Sequence, residues 1–187
     1  MSRGPAGSNA VFGMLIFLGA ESMFFAGLVS AFMVLRGTAG GWPPPGQPRL
    51  PVEVTAVNTL VLLLSGWTVV RARNAIRRGQ PAALVGELSR TTILGALFLA
   101  IQGIEWVGLF RHGLTIRPGV YGGLFCTLIG CHGLHVLGGL GALLVALAGA
   151  RRGRFSARDH AGVTAVHLYW LFVVGIWPIL YTLVYLW

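Results

Sequence analysis

Five long stretches almost free of charge recur along this chain, at roughly 10–35, 54–72, 91–110, 120–150 and 163–187. Crossing a hydrocarbon core takes about 20 helical residues at about 1.5 Å of rise each. Each stretch is long enough, or nearly so, to span a bilayer as a helix. The second is the shortest and the fourth the longest, which predicts different tilts. Together they consume nearly all of the 187 residues and leave no room for a separate soluble domain. The expected fold class is therefore all-α: a single transmembrane domain over 1–187, an integral membrane bundle of five helices. Only 10% of residues are charged, against about a quarter in an ordinary soluble domain.

The net charge of +9 would suit nucleic acid, but its placement does not. Every basic residue is an arginine at or beyond a helix end. With the N-terminus in the cytoplasm, Arg3, Arg71, Arg73, Arg77, Arg78, Arg90, Arg151, Arg152, Arg154 and Arg158 fall inside. Arg36, Arg49, Arg111 and Arg117 then fall outside, together with the C-terminus. That asymmetry over short loops follows the positive-inside rule. The charge is topological, with anionic lipid headgroups as counterions, and no nucleic-acid partner is expected. The first stretch is longer than a secretory signal core and contains Glu21, so it reads as a retained helix.

The connectors are short. GGWPPPGQPRLP, at 40–51, favours an extended polyproline-like segment, with Trp42 at the outer interface. RARNAIRRGQPAALVGELSR, at 71–90, reads as an arginine-rich inner loop, either solvated or holding a short amphipathic helix. RRGRFSARDHAG, at 151–162, is a short basic loop in which His160 is exposed. Small residues recur at helical spacing: Ser22, Ala26 and Ser30 in the first helix, and Gly138, Ala142, Ala146 and Ala150 in the fourth. Such ridges let helix backbones approach closely in lipid. Pro178 should kink the last helix, which Tyr185 and Trp187 close as an outer aromatic anchor. Cys126 and Cys131 have neither the spacing of a metal or redox motif nor a shared face, and read as small buried hydrophobes.

Polar groups inside the apolar stretches carry the functional question. Glu21 lies midway along the first helix and Glu105 about two-thirds along the third, with Gln102 on the same face as Glu105. Asn58 and Thr55 share a face of the second helix. His132 and His135, in HGLH, share one of the fourth, and His167 lies early in the fifth. An ionised carboxylate in hydrocarbon is costly, so these groups should face the protein interior and find partners; Glu21 should be protonated or bonded to a neighbouring helix.

Four readings compete for these groups. A metal site could draw on the two histidines and the carboxylates, yet the Glu-x-x-His pairs of carboxylate-bridged bundles are absent. One axial histidine is in principle enough for a haem. A transporter would be expected to show inverted repeats or broken helices, which the chain lacks. The remaining reading is structural: polar groups tie helices together and grip neighbours or lipid.

Several stretches resemble subunit III of the haem–copper terminal oxidases, the cytochrome c oxidase subunit 3 family. They are GMLIFLGAESMFFAGLVSAF around Glu21, NTLVLLLSGWTV from Asn58, LFLAIQGIEW ending at Glu105 and Trp106, GVYGGLFCTLIGCHGLHVLGGL with both histidines, and the terminal YWLFVVGIWPILYTLVYLW. The resemblance starts at the third helix of the family's seven-helix form and so implies the shorter five-helix bacterial type.

It implies a non-catalytic subunit of a respiratory oxidase in the bacterial inner membrane. Such a subunit contacts subunit I chiefly, and also subunit II and the other oxidase subunits. It stabilises subunit I and supports proton uptake. It holds no haem, copper or other metal, these residing in partner subunits, while bound phospholipid is expected. Glu21, Asn58, Gln102, Glu105, His132 and His135 then form a buried polar network with no ligand among them. In the last helix the family's Tyr-Trp-His-Phe-Val-Asp run carries Leu171 and Val174 in place of His and Asp, which removes the usual polar contacts there. An accessory subunit of a quinol oxidase or nitric oxide reductase shares the fold and remains an alternative, as does a stand-alone transporter.

Overall fold

The computed structural model describes residues 5–38, 52–111 and 120–186. Trp42, Trp187 and the polyproline-like segment at 40–51 lie outside the described residues. Five helices appear: α1 (Pro5–Gly37), α2 (Val52–Arg77), α3 (Pro81–Arg111), α4 (Val120–Arg151) and α5 (Ala161–Tyr181). No strand occurs among the described residues, and each helix is long and apolar enough to cross a membrane.

Helices α2 and α3 run well past their apolar blocks into the stretch read as a loop. The connection is only Arg78–Gln80, and it works because Gly79 adopts a left-handed φ of 70°. Its N–H bonds the Ile76 carbonyl at 3.0 Å, and Gln80 N–H bonds that of Ala75 at 3.0 Å. This double closure of a helix end needs a residue without a Cβ penalty. Pro81 then occupies the first turn of α3, where a missing N–H costs nothing. The α4 end repeats the device at Gly153, φ 68°, with Arg154 N–H on the Gly149 carbonyl at 3.0 Å.

Helix α5 is the hub, packing against α1, α2 and α4, while α3 lies between α2 and α4. Its buried face carries Val163, Trp170, Val173, Val174, Trp177 and Leu180. Two glycines make room for Trp170. A Cβ at Gly95 of α3 would come within 2.6 Å of its ring, and one at Gly139 of α4 within 2.7 Å. Trp170 Nε1 donates to Ser65 Oγ at 3.0 Å, and Trp177 Nε1 to Thr59 Oγ1 at 2.8 Å. Both indoles are fully buried, so these bonds satisfy donors that hydrocarbon would leave unpaired. Pro178 sits inside α5, whose bonding changes at Thr182 to a π-helical turn, Thr182–Leu186. Arg36 of α1 donates to the Leu183 carbonyl there at 3.2 Å.

Candidate functional site

The six polar residues singled out in the sequence do not form one network. They fall into a cluster between α2, α3 and the π-helical turn, a pair between α1 and α4, and an isolated imidazole.

The cluster is built from α2 residues one turn apart facing α3 residues one turn apart. Thr55 Oγ1 donates to the Glu105 carboxylate, at 3.2 Å from Oε1 and 3.1 Å from Oε2. Gln102 Nε2 reaches Glu105 Oε2 at 3.0 Å and Tyr185 Oη at 3.1 Å. Asn58 Nδ2 donates to the Phe98 carbonyl at 3.1 Å and lies 3.5 Å from Gln102 Oε1. The amide of Gln102, placed by the helical repeat on the face of Glu105, thus ties α3 to both α2 and the chain's last turn. Tyr185 is buried within the bundle rather than turned outward as an anchor.

The pair joins Glu21 of α1 to His135 of α4. Glu21 Oε2 lies 2.9 Å from His135 Nε2, with both side chains only partly covered. The other ring nitrogen, Nδ1, lies 2.7 Å from the Cys131 carbonyl. A carbonyl only accepts, so Nδ1 carries a hydrogen. Glu21 and Nε2 therefore share one further proton: either carboxylic acid facing a neutral imidazole, or carboxylate facing imidazolium. In both forms the Glu21 carboxyl has the neighbouring-helix partner that its position in hydrocarbon calls for. Phe25 packs edge-on against the imidazole at 5.0 Å, and Tyr169 Oη donates to the His135 carbonyl at 3.1 Å. Tyr169 heads the terminal run that resembles the family's, but nothing in the sequence paired it with His135.

His132, one turn before, points elsewhere. It is 1% exposed, lies 4.9 Å from the Trp177 ring and meets Phe98 edge-on at 6.2 Å. Neither ring nitrogen has a hydrogen-bond partner among the described residues. The two imidazoles of HGLH thus serve different neighbours: His132 the aromatic core, His135 the first helix. Among the described residues no group of three or more His, Cys, Asp or Glu side chains could hold a metal ion.

The remaining expectations resolve as follows. Cys126 and Cys131 are free thiols, half-buried rather than buried. His167 is buried. Val174 packs on α2, its Cγ1 3.0 Å from where a Cβ of Gly66 would stand. Where the family pattern carries an aspartate, this chain makes an apolar contact. Ser22 and Ser30 of α1 remain exposed and bond their own helix, at Leu18 and Ala26.

A family model described as cytochrome c oxidase subunit III matches residues 6–187. The cytochrome c oxidase subunit 3 of the Synechocystis strain is 38% identical over 177 residues, covering 94% of this chain and 75% of that protein. Those of Latimeria chalumnae and Cyprinus carpio are 36% and 37% identical over 189 residues, each covering 98% of this chain and 71% of the relative.

Proposed function

The chain belongs to the cytochrome c oxidase subunit III family, and from that premise we propose that it steadies subunit I of its oxidase and supports proton uptake there. It is subunit III of a haem–copper oxidase, a membrane protein within a multi-subunit complex. These likenesses favour neither the quinol oxidase and nitric oxide reductase readings nor a stand-alone transporter.

The observation that carries the role is how the intramembrane polar groups are spent. Glu105, Gln102, Asn58 and Thr55 are consumed in bonds that join α2 to α3 and α3 to the π-helical turn. Glu21 and His135 hold each other at 2.9 Å. Polar groups so placed lock helices in register in a medium where no hydrophobic force between helices exists. We assign Glu21, Asn58, Gln102, Glu105 and His135 to this structural role through their bonds, and His132 to it through its ring contacts with Trp177 and Phe98. Haem and copper belong to the partner subunits I and II, with phospholipid around the bundle. The Glu21–His135 pair is only partly covered and shares one proton between two bases. That suits a group near a surface where protons are gathered for a neighbour.

The arginine asymmetry supports an N-terminus in the cytoplasm and a C-terminus outside, in a bacterial inner membrane, with 1–187 as a single transmembrane domain. Purification of the tagged chain from native membranes tests the assignment. A haem-rich partner should come with it, and a colourless solitary bundle would overturn the reading.

A further inference from the structure

The seam between α2 and α5 holds polar groups that the oxidase role leaves idle. The two helices run antiparallel: Thr59 meets Trp177 and Ser65 meets Trp170, one number rising as the other falls. The next polar pair toward the arginine-rich ends is Val69 and His167, whose ring bonds the Val69 backbone. The Val69 N–H is spent within α2, so a ring nitrogen donates to the carbonyl. One turn further along α2 stands Arg73, whose charge acts on the same imidazole. Side chains lean toward the N-terminus of their own helix, so in an antiparallel pair Arg73 and His167 lean toward each other.

Of the described arginines that the positive-inside rule puts in the cytoplasm, Arg73 alone is not exposed. Its Nε is buried with no hydrogen-bond partner among the described residues, and so is Nδ1 of His167, a residue only 5% exposed. Two turns earlier on the same face of α5, His160 is the N-cap, makes no side-chain cap bond and buries an unpartnered Nδ1. The positive end of the α5 dipole adds to the potential there. All five acidic residues of the chain are described, and none is spent on Arg73. Glu21 meets His135, Glu87 meets Arg71 and Arg90, and Glu105 meets Thr55. Glu53 lies at the far end of α2. Asp159, exposed in the loop before α5, makes no ion pair among the described residues.

We propose that this seam binds a carboxyl group. Arg73 Nε–H donates to one carboxyl oxygen, and the other oxygen shares a proton with His167 Nδ1, as Glu21 and His135 share theirs. With Nε2 on the Val69 carbonyl, Nδ1 offers a lone pair, so the ligand must accept on one side and bring a proton on the other. A carboxyl does both and matches the single guanidinium charge, which a phosphate dianion exceeds. Its source is a partner subunit's Asp or Glu side chain or a small free acid, and two arms of the test separate these. The proposal goes beyond the oxidase role, whose own failure would show first, as a chain that purifies alone.

Both arms use the purified oxidase complex containing this chain. In the first, a water-soluble carbodiimide treats the Arg73→Lys complex. A partner carboxylate at the site should be captured as an amide, mapped by mass spectrometry of the linked peptides, and R73Q should then hold the chain in the complex about tenfold more weakly whatever the salt. In the second, thermal release of the chain is followed in sodium acetate and in sodium chloride at equal ionic strength. A free-acid site should show acetate, and not chloride, steadying wild type, with about tenfold more acetate needed in R73Q, the loss of one charge-assisted bond. His167→Phe keeps the bulk of the ring and should move either readout in the same direction as R73Q. Easier release of R73Q with neither cross-link nor acetate effect would mark packing alone and overturn the proposal. So would R73Q behaving as wild type, or a cross-link only to Asp159 of this chain. A density map of the unmodified complex gives a readout free of variants: a carboxyl group should lie against Arg73 and His167, and a lone water or a lipid phosphate there contradicts the site.

Discussion

Helices α1 and α2 are both apolar enough to span a bilayer, yet they are used differently. Of the most apolar window of α2, 44% of residues are buried within the bundle; for α1 the share is 6%. Helix α2 is locked to α3 and α5 by Thr55, Asn58, Thr59, Ser65 and Thr68. Helix α1 leans on α5 and α4, with Phe25 and Phe32 buried and Phe12, Ile16, Met23 and Val34 well exposed. In lipid an apolar surface gains nothing by burial, so close packing and hydrogen bonds decide which helices form the bundle. The core of α2, α3, α4 and α5 is what the chain builds for itself. Most of α1 is offered to what surrounds it, and Glu21–His135 is the polar contact that tethers it to α4 midway.

That contrast fixes a ladder of effects. The largest is at Trp170, where Trp170→Ala leaves a void between Gly95 and Gly139 and removes the indole N–H that Ser65 Oγ accepts. Unfolding of the isolated chain in mixed micelles should show a loss of about 3–5 kcal/mol. Gly139→Ala should cost about 1–3 kcal/mol in the same assay, because the intruding methyl meets a fully buried indole. Asn58→Ala, which forfeits the bond to the Phe98 carbonyl, should cost about 1 kcal/mol. Met23→Leu on the open face of α1 should stay within about 0.5 kcal/mol. A Met23 effect as large as that of Gly139 would erase the distinction between the two regions.

The chemistry of these elements was readable from sequence to different depths. The five spans follow from the absence of charge, and Gln102 joined Glu105 through the helical repeat alone. The α2–α3 connection was misread because its arginines look like a loop, although Gly79 followed by Pro81 is a helix stop and start. Tyr185 looked like an interfacial anchor because its position at the chain's end says nothing of the π-helical turn that folds it inward. Helical spacing placed His132 and His135 on one side of α4, but which neighbour each meets depends on the packing of α1 and α5. The glycines that clasp Trp170 were invisible among the 28 in the chain, since a close approach is a property of two helices at once.

The pair itself can be probed through its shared proton. Glu21→Gln keeps a hydrogen-bonding group opposite His135, whereas Glu21→Leu removes it. The leucine variant should release α1 from α4 more readily, read as faster proteolysis of the first helix in micelles. Equal sensitivity in the two variants would show that the pair does not tether α1.

The central claim is that the imidazoles of HGLH join helices and ligate nothing. The direct measurement is the visible spectrum and subunit content of the purified oxidase carrying His132→Ala and His135→Ala together. The haem bands and metal content should match wild type, while subunit III washes off more easily in detergent. Loss of a haem band, or of a stoichiometric metal, would contradict the claim.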